Sequence, residues 1–271
     1  MRYLKIIVIL LLVSLIGGCS NLKLLAPESF GLSPITHNIY VEDGADEGTK
    51  AKLRGAIEEA ESAIRATYGD VKSRPSVYAC ISEDCYKSFG GMGSRAKVYG
   101  DHILLSPRGL NWHFLAHEWS HAEMSTRLTF TAWWRMPQWF DEGVAVAISE
   151  APEHSESHWQ YLIAHHIPRP TREELLTYKS LREWLDAVHR FGETQNTERK
   201  AKGEPVVAPL YTAAGHELRP WLAKAGSPGL LAFIERLNGG EKFESAYIAA
   251  NNAVERDTPQ AALPLATRPS P

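Results

Sequence analysis

Cysteine is scarce in this chain, with three among 271 residues. That excludes a small scaffold stapled by several disulfides, and it excludes a four-cysteine zinc site. An excess of positive charge is also missing. Lys and Arg number 29 against 32 Asp and Glu, a net charge of -3, so the chain lacks the basic footprint of a nucleic-acid-binding protein. The eleven histidines form no tract, and no internal repeat is visible. The apolar run over residues 6–16 falls well short of the roughly 20 residues that a spanning helix needs. What is present is ordinary globular material, 44% hydrophobic and 23% charged, enough for one large domain or two small ones.

The apolar run follows Arg2 and Lys5 and ends in Gly17, Gly18 and Cys19. A basic start, a short apolar stretch and small residues describe a secretory signal peptide over residues 1–18. Ile16-Gly17-Gly18-Cys19 also resembles the bacterial lipobox, whose cysteine is lipidated and becomes the first mature residue. This resemblance implies membrane attachment through Cys19. Ser20 rather than Asp follows it, which implies the periplasmic face of the outer membrane. A plain signal peptide with an incidental cysteine is the alternative. With Cys19 assigned to lipid, Cys80 and Cys85 remain, and an even pair in an oxidising compartment reads most simply as a disulfide. Half of a cysteine-rich zinc site is the other reading.

Along the mature chain, residues 19–34 read as a tether and PITHNIYVE as a strand. Leu53, Ile57, Ala60 and Ile64 recur at helical spacing up to Gly69. RPSVYACI and AKVYGDHILLSP read as further strands, the latter interrupted at Gly100. Two helices follow, one capped by Asn111 and one with Pro137 at its first turn. Beyond about residue 155, segments 156–166, 171–190, 208–224, 228–238 and 241–252 carry helical spacing. The polar stretch 193–204 reads as an exposed loop, and the proline-rich tail 256–271 as disordered. Strands first and helices later predict an α+β fold: a small sheet and its helices over 35–155, and a helical part over 156–255 that closes a cleft.

Residues 117–121, HEWSH, are the chemical signal. Residues four apart lie on one helix face, so His117 and His121 can both address one ion. Glu118 sits one position along, beside the ion, where it can hold and deprotonate a water. Trp112, Phe114, Leu115, Ala116 and Trp119 flank the motif and predict a buried helix. Buried histidines next to a buried glutamate need a partner, which zinc would supply. A polar face with two solvated histidines is the bland alternative. A catalytic zinc needs a third protein ligand, and Glu142 in QWFDEGVAVAISE lies twenty-one residues on, far enough for the chain to turn and return antiparallel. Asp141 is placed to orient one of the histidines, with no sign of which.

Both segments together resemble the gluzincin metallopeptidases, the superfamily of thermolysin and aminopeptidase N. There HExxH is followed about twenty residues later by a glutamate ligand on a neighbouring helix. The aminopeptidase-like pattern of Trp-Trp and then Trp-Leu-Asn-Glu-Gly-Phe-Ala is matched by Trp133-Trp134 and then Trp139-Phe140-Asp141-Glu142-Gly143-Val144-Ala145. The resemblance implies a zincin-like catalytic domain with one zinc on His117, His121 and Glu142, and Glu118 as general base. It also implies a substrate-lining stretch upstream, where Gly91, Met92 and Val98 fall; a glycine-rich loop entering an edge strand is the equal alternative. Gly93 stands where aminopeptidases carry their amine-binding glutamate, which turns the expectation from aminopeptidase to endopeptidase. Downstream, Tyr211 matches a tyrosine that returns to the site, with His216 near it, and either is a candidate oxyanion donor. His113, His154, His165 and His166 match no role and read as surface or core residues. Two other classes stay open: an envelope lipoprotein that zinc merely stabilises while it binds a partner, and a zinc hydrolase of a non-peptide amide. The anchor expectation has its own test. Cys19→Ala should move the protein from the membrane to the soluble fraction; unchanged fractionation, with no fatty acid label on the parent, would refute lipidation.

Overall fold

Alternate strand residues bury on opposite sides of one sheet, as the period of two demands. Val77, Ala79, Ile103 and Leu105 join a large core on one face. Tyr78, Cys80 and Leu104 point the other way and pack with Leu24, Leu32, Tyr86 and Phe89. The computed structural model describes residues 23–257, so the signal peptide, Cys19 and residues 258–271 of the tail lie outside the described residues. The strands are β1 (Leu32–Thr36), β2 (Ile39–Glu42), β3 (Ser76–Ala79), β4 (Ala96–Tyr99) and β5 (His102–Leu105). They lie in the order β1-β2-β3-β5-β4. The central β2, β3 and β5 are parallel, while β1 and β4 pair antiparallel as the two edges. With its many helices the fold is α+β around a small mixed sheet.

Two segments expected as single strands are hairpins. PITHNIYVE breaks at Asn38, whose φ of 62° turns β1 back on β2. Gly100, at φ 61°, does the same between β4 and β5. Asn and Gly enter the left-handed region at least cost. The tether expected over 19–34 is correspondingly shorter, because Leu24 is buried and Leu32 begins β1. Cys80 and Cys85 form a disulfide across the turn from β3 into α2 (Glu83–Ser88).

Helix α1 (Glu47–Tyr68) starts at Asp46, whose carboxylate accepts from the Thr49 N–H, and buries Leu53, Ala56, Ala60, Ile64 and Tyr68 along one stripe. Then come α3 (Trp112–Arg127), capped by the Asn111 side chain, the short α4 (Phe130–Arg135) and α5 (Gln138–Ser149), with Pro137 just ahead of its first turn. The rest are α6 (Glu156–Ala164), α7 (Arg172–Leu175), α8 (Leu181–Val188), α9 (Thr194–Ala201), α10 (Pro209–Asn238) and α11 (Phe243–Asp257). The stretch 171–190, expected as one helix, is divided by a fresh start at Ser180, which forms a capping box with Glu183. The polar stretch 193–204 is largely helical rather than a loop. Helix α10 kinks at Gly226.

One core runs through both parts of the chain, from Val41 through Phe140 to Ala250, so the helical part packs directly on the sheet-bearing part. At its centre the Phe140 ring lies 4.9–5.9 Å from those of Trp139, Trp221, Phe233, Phe243 and Tyr247. Gly143 allows α10 to meet α5 closely: a Cβ there would lie 2.8 Å from the Leu218 side chain and 2.9 Å from the Ala214 carbonyl oxygen.

A buried ionic knot fastens the far end of α3. Glu123, fully buried, accepts from the N–H groups of Lys72 and Ser73, the Ser73 hydroxyl and Arg127 Nε. Arg127 also reaches Asp70. Removing one partner of such a pair strands the other charge, so Glu123→Ala should destabilise the protein by about 3–5 kcal/mol. Urea unfolding measures this, and a loss below about 1 kcal/mol would show that the knot is replaceable.

Candidate metal centre

Helices α3 and α5 run antiparallel, because His113 at the start of α3 donates from Nδ1 to the Ser149 carbonyl at the end of α5, at 2.7 Å. This brings Glu142 opposite the two histidines one turn apart. His117 Nε2 lies 3.3 Å from Glu142 Oε2 and 3.3 Å from His121 Nε2, and His121 Nε2 lies 3.7 Å from Glu142 Oε2. Ligands about 2.0–2.1 Å from a tetrahedral zinc stand about 3.3–3.4 Å from one another. Three donor atoms therefore already mark three corners of such a tetrahedron, and the group can hold a metal ion.

The surrounding bonds fix the orientation of each donor. His121 donates from Nδ1 to Asp141 Oδ2 at 2.8 Å, which turns its Nε2 lone pair inward. Gln138 Nε2 donates to Glu142 Oε1 at 3.0 Å, while Glu142 Oε2 is buried with no hydrogen-bond donor. An orphaned carboxylate oxygen between two imidazole nitrogens fits a cation. Electrostatics agree. Burial pushes the Glu142 carboxyl upward, but the nearby His117 and the His121 charge outweigh it and leave it below the ordinary value. Burial also pulls His121 down, but Asp141, Glu142 and Glu118 lift it to about 10. Three carboxylates thus draw positive charge to one point, and a divalent ion answers the same demand.

Glu118 is not among the donors. One residue past His117 it is rotated about 100° around the helix. There its carboxylate meets the backbone of Val98 on the edge strand β4. Burial raises its pKa, offset in part by His117 and His121.

Of the other candidates, Tyr211 at the start of α10 packs edge-on against His117, with ring centroids 6.1 Å apart, and edge-on against Trp184 at 5.3 Å. Burial, Glu142 and Glu118 hold its phenol protonated well above the usual range. His216 does not join it. Five residues further along α10 lie about 140° around the helix, and there Nδ1 pairs with Glu156 at 2.8 Å while the ring stacks on Trp159 at 4.4 Å. The expectation of an oxyanion role for His216 is corrected on that ground. Val98 is brought beside Glu118. Gly91 has a packing role, since a Cβ would sit 2.3 Å from the Tyr86 ring, and Met92 is 81% exposed. The reading of Cys80 and Cys85 as half of a zinc site falls, because their disulfide leaves no thiolate to ligate beside Glu42.

Two neighbours of the site escaped the reading of residues. Gln138 lies four positions before Glu142, a spacing that puts both on one helix face and that signalled the pair. His154 sits on a 3-10 turn beyond α5 and stacks on Tyr211 at 5.4 Å. Burial first, then His117, depresses its pKa to about 3, and its Nδ1 is buried without a partner. No spacing in the sequence marks it.

No protein-family model, curated protein or solved structure matches this chain. The site therefore stands on its own geometry. Asp141 holds His121 but does not reach the donor point, so Asp141→Ala should weaken zinc binding about 10–100-fold with the fold retained. Competition against a chromophoric chelator reads this directly, and unchanged affinity would remove Asp141 from the site.

Proposed function

We propose that the chain is a zinc-dependent peptidase of the bacterial cell envelope, an endopeptidase of gluzincin type, anchored through lipid on Cys19. The observation that carries the reading is the division of labour between neighbours on α3: His117 and His121 take donor positions with Glu142, while Glu118 stands beside them, partly buried and outside the donor set. A zinc that only stabilised a fold would close its coordination with a fourth protein ligand. Among the described residues the grouped donors are three, which leaves a corner for water or substrate.

Zinc, when bound, supplies Lewis acidity that polarises a carbonyl and acidifies a water. Glu118 takes the proton of the attacking water and hands it to the departing amine. Its raised affinity for protons suits a group that must hold one between the two steps. Asp141 keeps His121 in one tautomer. Tyr211, a protonated phenol against His117, is the candidate donor to the developing oxyanion. The outer edge of β4, next to Glu118, pairs with no further strand among the described residues and offers backbone groups to an extended peptide. Gly93 supplies no carboxylate for a free amine, which favours the endopeptidase over the aminopeptidase reading.

Glu118→Gln tests the assignment. Zinc content and unfolding midpoint should match the parent, while turnover of an N-terminally blocked peptide falls by about 10²–10⁴-fold. Equal turnover would eliminate the mechanism in favour of a zinc-stabilised binder. Cleavage restricted to peptides with free N-termini would leave Glu118 in its role and replace the endopeptidase with an aminopeptidase.

A further inference from the structure

Helix α4 presents three aromatic rings outward. Phe130, Trp133 and Trp134 are 74%, 46% and 74% exposed, and their centroids stand 6.3–6.4 Å from one another. No other tryptophan of the chain is among its exposed large hydrophobics. A contiguous apolar cluster of this kind costs solvation in water and marks a contact surface. Next to it lies a hollow of ≈ 330 Å³ bordered by Arg135, Lys179, Lys242, Glu241 and Glu244. Glu244 pairs with Lys179 at 3.2 Å and Glu241 with Arg236 at 3.0 Å, so the two carboxylates are neutralised. Arg135 and Lys242 remain exposed, and the face is left positive on a chain whose net charge is -3.

We infer that the α4 face docks on an anionic membrane surface, with Phe130, Trp133 and Trp134 in the interfacial layer and Arg135 and Lys242 against lipid phosphates. Two features select a bilayer over a protein partner. The rings stand out from the body instead of lining a groove, so a fluid medium accommodates them without a shaped socket. Their indole and phenyl chemistry beside cations is the combination that bilayer interfaces favour. The inference uses neither the metal chemistry nor the lipid on Cys19, and the two fail separately.

The test mixes the full chain, as the parent and as Cys19→Ala, with vesicles of phosphatidylcholine and phosphatidylglycerol whose phosphatidylcholine is brominated on its acyl chains. Contact quenches tryptophan emission. The apolar run at residues 6–16 carries no tryptophan, so its insertion is silent. Two of the eight tryptophans lie on the face, which sets the expected loss near that share of the emission in both proteins. Trp133→Ala with Trp134→Ala should abolish the quenching without lowering the unfolding midpoint. Arg135→Glu with Lys242→Glu keeps the rings and should reduce quenching severalfold. So should 1 M salt, where the screening length is about 3 Å. Absence of quenching, or equal quenching in the double tryptophan variant, overturns the inference. So does shielding of these tryptophans from aqueous acrylamide without bromolipid quenching, which would assign the face to a protein partner.

Discussion

A carboxylate oxygen held between two imidazole nitrogens in a dry interior is the constraint on which the rest depends. Glu142 Oε2 has no hydrogen-bond donor of its own, and a bare charge so placed would be costly. The surroundings offset that cost by convergence. Asp141 orders His121, Gln138 engages the other oxygen of Glu142, and His117 closes the group. Each of these partners lies on α3 or α5, so the antiparallel register of two helices decides the whole arrangement. The Ser149 carbonyl that His113 engages holds that register at the start of α3, while the ionic knot around Glu123 ties the far end of α3 to residues 70–73.

The same register relates the site to the sheet. α3 crosses the edge of the sheet at β4, so the residue after His117 faces a strand instead of a helix. Neighbouring positions on one turn thereby meet two environments, a donor cluster and a backbone edge. The chemistry proposed for Glu118 follows from this difference in surroundings between it and His117.

How much of this was legible in the residues depended on whether the signal was periodic. The spacing of four in HEWSH projects onto one helix face without tertiary knowledge, so the placing of His117 and His121 together followed from the sequence. Glu142 was reachable because the chain after His121 is long enough to return antiparallel and because the segment around it resembles the second gluzincin segment. The hairpins at Asn38 and Gly100 were harder, since strand-like residues on both sides of a two-residue turn read as one strand. Residues 194–201 misled in the opposite way. Their polarity suggested a loop, but they form a solvated helix pinned by Asn196, which bonds both polar groups of the Val207 backbone, and by Arg199, which reaches the Pro205 carbonyl. His216 misled through proximity in sequence to Tyr211, which a helix converts to divergence. His154 lies on a turn whose path no local pattern encodes, and only packing brings it onto Tyr211.

The bare backbone of Gly143 has a mechanical consequence. Where two helices meet with side chains between them, rotamers can shift and the gap breathes. Here α5 contributes no side chain, and the Leu218 side chain and the Ala214 carbonyl of α10 come down on its bare backbone one residue after Glu142. The contact acts as a hard stop. Tyr211 rides on α10 and Glu142 on α5, so the closeness of this approach bears directly on their separation. The side of α5 that carries Glu142 therefore has little room to yield when α10 shifts toward it.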